Sequence, residues 1–180
     1  MIIKMIDEIN KALDLGLYLC ALSLALTLPD ICGKAEYPNA NVTTRYIEWF
    51  NEYIGKYEKC PQRNDEDEIL PYASGEVIYQ LRCSLFHQGS TDINIKKINA
   101  PENKVTNFSL IVNQDKDDIF GGSSSLTLFD KDIIERDLEI SIQDLCRKIC
   151  KLSEYYYDKN KEKFDFMKVQ FVDWKTRVLL

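Results

Sequence analysis

Residues 74–89 read SGEVIYQLRCSLFHQG, and this stretch decides the architecture because it is punctuated at both ends. Ser74 is an N-cap by type, since its hydroxyl can accept a hydrogen bond from a first-turn N–H, and Glu76 suits the positive end of the helix dipole. Val77, Ile78, Leu81 and Leu85 recur at helical spacing, and Gly89 stands where a left-handed C′ residue is wanted. The pattern predicts a helix over Gly75–Gln88. Beyond it the period changes. Ile93/Ile95, Phe108/Leu110/Val112 and Leu126/Leu128 alternate between polar clusters such as Gln114 to Asp118 and Gly121 to Ser125. This predicts short antiparallel strands, a β insertion over about residues 92–130 that is peripheral to the helices, with Gly121 to Ser125 as a hairpin connection.

Upstream, Ile2, Ile6, Ile9, Leu13 and Leu17 share helical spacing, and the run then becomes apolar on all sides up to Leu28. The expectation is one helix from Ile2 to Leu28 entering the middle of a bundle and stopped by Pro29. A second helix is predicted from about Val42 to Tyr57, with Tyr46, Trp49, Phe50, Tyr53 and Ile54 on one face and Thr43 or Thr44 as the cap. Cys60 to Glu68 (CPQRNDEDE) has no period and is read as a solvated loop. Downstream, Ser141 with Asp144 has the spacing of a capping box, and Ile142, Leu145, Cys146, Ile149, Cys150, Leu152 and Tyr156 give a fourth helix a long apolar face. The segment from Phe164 to Leu180 is apolar enough to pack back on the domain. The fold class is therefore mainly α with a small β insertion (α+β): a four-helix up-and-down bundle in a single domain, 1–180, with the strands between helices three and four.

The bulk properties exclude several classes. With 180 residues, 45% hydrophobic and 29% charged, the chain has ordinary globular composition and can bury roughly 70% of the surface its unfolded form exposes. A net charge of −6 argues against a protein that coats nucleic acid or anionic membrane by bulk electrostatics, so any such contact must be local. The run from Leu15 to Leu28 falls short of the roughly 20 residues that span a bilayer. Asp7, Glu8 and Asp14 spoil the basic n-region of a signal peptide. The six cysteines form no Cys-x-x-Cys pair, and those at 20, 83, 146 and 150 lie in apolar helical patterns, as for reduced core residues of a cytoplasmic protein.

The chain has one histidine, His87, five residues after Arg82. The two are about 140° apart on an ideal helix, but a long arginine can curl toward the helix end where His87 stands. A guanidinium fork suits a phosphate, and an imidazole titrating near neutrality suits proton transfer. The pair is equipped for phosphodiester chemistry without a metal. The plainer reading is a surface salt bridge for Arg82 and a helix-end position for His87 that favours the imidazolium.

Arg-x4-His near the C-terminal end of a helix, followed at once by Gly, resembles the signature of the HEPN superfamily, with residues 74–89 carrying the sharp part of the likeness. Members are small helical-bundle domains of bacterial toxins, anti-phage proteins and RNA-processing nucleases. The resemblance implies a metal-independent endoribonuclease without a cofactor, working as a homodimer that brings both Arg/His pairs into one cleft. It would have Arg82 bind the scissile phosphate, with Tyr79 and Cys83 beside it at the substrate position. His87 would act on the ribose 2′-hydroxyl or the leaving oxygen. Members often carry Asn, Asp or His directly after the arginine, and here it is Cys83. Inactive members that bind RNA, a nucleotide or a partner protein supply the alternative, and the partner could be a cognate antitoxin.

Other patterns are bland. Cys146 and Cys150 at i, i+4 form a packed face unless a third ligand joins them. Asp65 to Glu68 is a charge run of the solvated kind. Gly121 to Ser125 lacks the context of a phosphate loop. Lys159, Lys161 and Lys163 beside Tyr155, Tyr156 and Tyr157 combine charge with ring faces that could stack on RNA, or simply form a solvated helix end.

Overall fold

The computed structural model describes residues 1–59, 70–90, 93, 98, 105–113, 121–129, 132–169, 172, 173 and 175, and in it the punctuation around the motif helix holds. Helix α6 spans Gly75–Gln88; the Ser74 hydroxyl accepts from the Val77 N–H, and Gly89 adopts φ 62° and ψ 25°, its N–H reaching the Ser84 carbonyl. Val77, Ile78 and Leu81 are fully buried, and Leu85 packs at the edge of the core. The C-terminal helix α7, Ile142–Lys159, starts as expected, with the Ser141 hydroxyl accepting from the Asp144 N–H. Only that half of the capping box forms, because the Asp144 carboxylate turns to Lys148 at 2.8 Å.

The N-terminal third departs from a single helix. It folds as α1 (Ile2–Asp14), α2 (Tyr18–Ala25) and α3 (Leu28–Glu36). Gly16, at φ 70°, takes the left-handed turn after α1 that residues with a Cβ adopt only at a cost. Pro29 begins a helix instead of ending one, since it sits in the first turn of α3 where its missing N–H would have no helical partner anyway. As a result Leu15, Leu17 and Leu19 are exposed, and so is Cys20; Cys32, Cys146 and Cys150 are the buried thiols, with Cys83 half-buried. Cys60, with the whole connector to Glu68, lies outside the described residues.

Helix α4 is Val42–Phe50, continued by a π-helical turn at Asn51–Gly55 and a last turn α5 at Lys56–Glu58. Its cap is Asn41, not Thr43 or Thr44: the Asn41 amide oxygen accepts from the Thr44 N–H at 2.9 Å. Tyr46, Trp49, Phe50 and Ile54 point inward, as their spacing requires. Helix α7 packs against α1, α2 and α3, while α6 packs against α4 and α2. Gly33 lets α3 lie directly on α4, for a Cβ there would stand 2.4 Å from the Arg45 carbonyl oxygen. That close approach brings the start of α3 to the middle of α4.

The sheet has order β1-β3-β2, with β1 at Asn107–Ile111, β2 at Gly122–Phe129 and β3 at Asp132–Ser141. Strand β2 pairs with β3 antiparallel, but β1 pairs with it parallel, so the expected all-antiparallel arrangement is corrected. Gly122 to Ser125 belong to β2 itself rather than to a hairpin connection. The central strand β3 was not anticipated and leads straight into α7. Ile93 has no strand conformation, and Ile95 and residues 114–118 lie outside the described residues. Nor is the sheet peripheral. Leu138 and Ile140 are buried in the hydrophobic core because the inward face of β3 lies against the helices, and within the insertion Ile98 and Val105, ahead of β1, are buried there too. Of the C-terminal segment, Phe164 packs into that core as expected.

Candidate functional site

The last two turns of α6 face the N-terminal end of α3, and this is where Arg82 goes. Its Nη2 lies 3.4 Å from Oδ2 of Asp30, in the first turn of α3. The other carboxylate oxygen of Asp30 accepts from Arg45 of α4 at 2.8 Å. One carboxylate thus holds two guanidinium groups, and the cluster carries a net positive charge.

Arg82 is also walled by rings. Its guanidinium carbon is 5.7 Å from the centroid of Tyr46, 6.0 Å from Tyr79 and 5.8 Å from Phe86. Tyr79 and Phe86 stand three residues before and four after Arg82, the spacings that share a helix face. Tyr46 meets Tyr79 edge-on at 5.3 Å, and Thr43 donates a hydrogen bond to the Tyr79 hydroxyl at 2.8 Å. Each ring face attracts the cation, an effect that grows as water is excluded.

Two donors in this box are unused. Arg82 Nε and the Tyr46 hydroxyl are buried without a hydrogen-bond partner. Burial pushes the Tyr46 phenol far above its usual range, against a smaller opposing pull from Arg82, so it stays neutral. An unpaired buried donor costs about 1–3 kcal/mol, and an acceptor entering the box would recover it.

His87 is exposed on the last turn of α6. The expected curl of Arg82 toward it does not occur: among the described residues no hydrogen bond or ion pair joins the two. Arg82 turns instead to the countercharge of Asp30 and to the rings of Tyr46, Tyr79 and Phe86. Tyr79 lies with Arg82, and Cys83 is close enough for its thiol to bear on Tyr46 electrostatically. Sequence reasoning missed Asp30, Arg45, Tyr46 and Phe86 as members of this cluster. Asp30 left one signal, an acidic residue directly after a proline, which marks a helix start.

The other candidates resolve simply. Cys146 and Cys150 are buried on the packed face of α7; burial raises both thiols, Cys150 to about 12, far from the thiolate that binds metal. Among the described residues no group of three His, Cys, Asp or Glu side chains is placed to hold a metal ion. Lys161 pairs with Asp158 and Lys163 with Glu36, and Lys159 lies over the ring of Tyr155. A cavity of about 270 Å³ beneath β2 is lined by Glu58, Tyr72, Asp144 and Lys148. The charge run Asp65 to Glu68 lies outside the described residues. The helical stretch Tyr18–Glu36 is long and apolar enough by composition to cross a membrane, with 50% of its most apolar window buried inside the protein.

No protein-family model, no curated protein and no solved structure matches the chain.

Proposed function

We propose that the chain is a HEPN-like metal-independent endoribonuclease in which Arg82 holds the scissile phosphate and His87 moves the proton. The observation that carries this reading is the state of Arg82: a half-buried guanidinium in an aromatic box which, among the described residues, is tied by a single long contact to Asp30 and keeps its Nε–H unpaired. Such a group has donor capacity in reserve for an incoming phosphate. In-line attack by a 2′-hydroxyl needs a base for that proton and an acid for the leaving oxygen, with a cation against the charge growing on phosphorus. One chain offers one histidine, so the reading includes a homodimer in which two α6 ends face each other, a bundle of the HEPN-like up-and-down kind, and a cytoplasmic setting such as a toxin or anti-phage system. Phe86, exposed beside His87, gives such an interface apolar surface.

The test is cleavage of single-stranded RNA in excess chelator. Activity should persist and leave a cyclic phosphate end. His87→Ala should lower it by about 10²–10⁴-fold while circular dichroism and dimer mass stay unchanged. A second reading is favoured by Asp30, which already neutralises part of the Arg82 charge, and by Cys83. Here the same box binds RNA, a nucleotide or a partner protein without cutting. Wild-type protein that binds RNA through Arg82 yet cuts none without metal would decide for it.

A further inference from the structure

A chain of net charge −6 can hold RNA only along a local positive path, and α3 lays one out. Asp30 and Lys34 are four residues apart, one above the other on the solvent face of α3 and about 6 Å apart along its axis. Asp30 gathers Arg82 and Arg45. Lys34 is exposed, and its Nζ lies 4.5 Å from the ring centroid of Phe166. That ring is 36% exposed and stacks on Phe164, which is buried, with centroids 6.1 Å apart and planes at 25°. Asp30, which gathers Arg82 of α6 and Arg45 of α4, and Lys34 thus lie along one face of α3, from the Arg82 box to an anchored, solvent-facing ring. Carboxylates gather around the C-terminal cap of α3: burial, then the charges of Glu36, Glu48 and Glu52, hold the Tyr37 hydroxyl above the usual phenol range.

We propose that Lys34 and Phe166 form a second RNA position, one α3 turn from Arg82, where Lys34 takes the next backbone phosphate and Phe166 stacks a base. This deepens the preceding proposal and rests on RNA being bound at Arg82. Cationic tracks with ring platforms are the usual chemistry of single-strand binding, and stacking tolerates any base. The position sets how long a strand the protein grips, not which sequence it prefers.

Fluorescence anisotropy with 2′-O-methyl oligoribonucleotides, which bind but cannot undergo 2′-hydroxyl attack, separates the possibilities. A dinucleotide, whose single internucleotide phosphate fills the Arg82 position alone, should bind the Lys34→Gln/Phe166→Leu protein as it binds wild type. An octanucleotide should bind about tenfold more weakly, with a salt slope shallower by about 0.7 for the lost phosphate contact. Arg82→Ala should weaken both lengths. The single variants Lys34→Gln and Phe166→Leu, each checked by circular dichroism, guard against a folding defect in the pair. Equal octanucleotide affinity in wild type and the double variant would overturn the second position and leave the Arg82 reading standing. Loss in the double variant with no effect of Arg82→Ala would overturn the Arg82 reading and, with it, the placing of Lys34 and Phe166 as the next position on its track. Wild type that binds neither length would overturn both. An equal loss for polyphosphate, which has no bases, would overturn the stacking role of Phe166.

Discussion

Of the cations that bridge helices among the described residues, Lys148 and Arg82 are held in opposite ways. Lys148 on α7 is clamped by Glu58 at 2.7 Å and Asp144 at 2.8 Å, two carboxylates for one ammonium. Arg82 on α6 shares a single carboxylate with Arg45, reaches it at 3.4 Å and leaves Nε bare among three rings. The first cluster sets two carboxylates against one cation and commits that charge to the fold. The second has cation in excess of anion and donors in reserve, and it stands at the end of the helix that carries the only histidine. Spare capacity at a desolvated charge, more than the presence of a charge, separates a binding group from a strut.

The comparison breaks most directly at the two cations. Arg82→Ala should lower RNA cleavage by about 10²–10³-fold, the usual cost of removing a donor aimed at developing charge. Lys148→Met should leave turnover within about twofold and act on stability alone, by roughly 1 kcal/mol, since the pair is partly exposed and solvent-screened. Initial rates with denaturation midpoints on both variants decide it. Equal kinetic losses would show that Arg82 too is a strut.

A smaller effect is expected from the anions. Asp30→Ala would leave two half-buried guanidinium groups facing each other and should cost about 2 kcal/mol, less than for a fully buried pair. Asp144→Ala leaves Lys148 its second partner, Glu58, and should cost under about 1 kcal/mol. Urea titrations should rank them in that order. The reverse ranking would mean that Arg45 and Arg82 find water as readily as Asp30.

The same contrast explains what the sequence disclosed. Helix α6 was legible in full, because Ser74, Glu76 and Gly89 are local signals, each resolved within one helical turn. The segment 2–36 was not. Its apolar run gives no face, and a proline can stop a helix or open one; only the packing of α3 on α4 through Gly33 chooses. Strand β3 was hidden because Glu135, Arg136, Asp137 and Glu139 obscure the alternation of Leu138 with Ile140, and the parallel pairing of β1 leaves no local mark. Arg82 and His87 were legible as residue types at a spacing. The partner that decides the geometry of Arg82, Asp30, lies fifty-two positions earlier and enters the site only through the fold.

The smallest effect tests whether the Lys148 clamp depends on its charge. Lys148 can lose its proton. Burial pulls its pKa down, but the hydrogen bonds to Asp144 and Glu58 outweigh that and raise it above its usual 10.5. A raised pKa in the folded state stabilises fully below the unfolded value and loses that contribution as pH rises through the folded one. The clamp should therefore be intact at neutral pH and fail only beyond 10.5. With the side chain 39% exposed, the loss is a few tenths of a kcal/mol, or roughly 1 °C in melting temperature for a domain of this size. Strong alkali acts on more of the protein than this one group, so wild type alone cannot isolate the effect. Lys148→Arg can, because it keeps the charge and that background is common to both proteins. The two should melt together at pH 7 and separate by about that 1 °C near pH 11, with the arginine variant higher. A constant difference across the range would assign the clamp to packing of the lysine stem instead of to its charge.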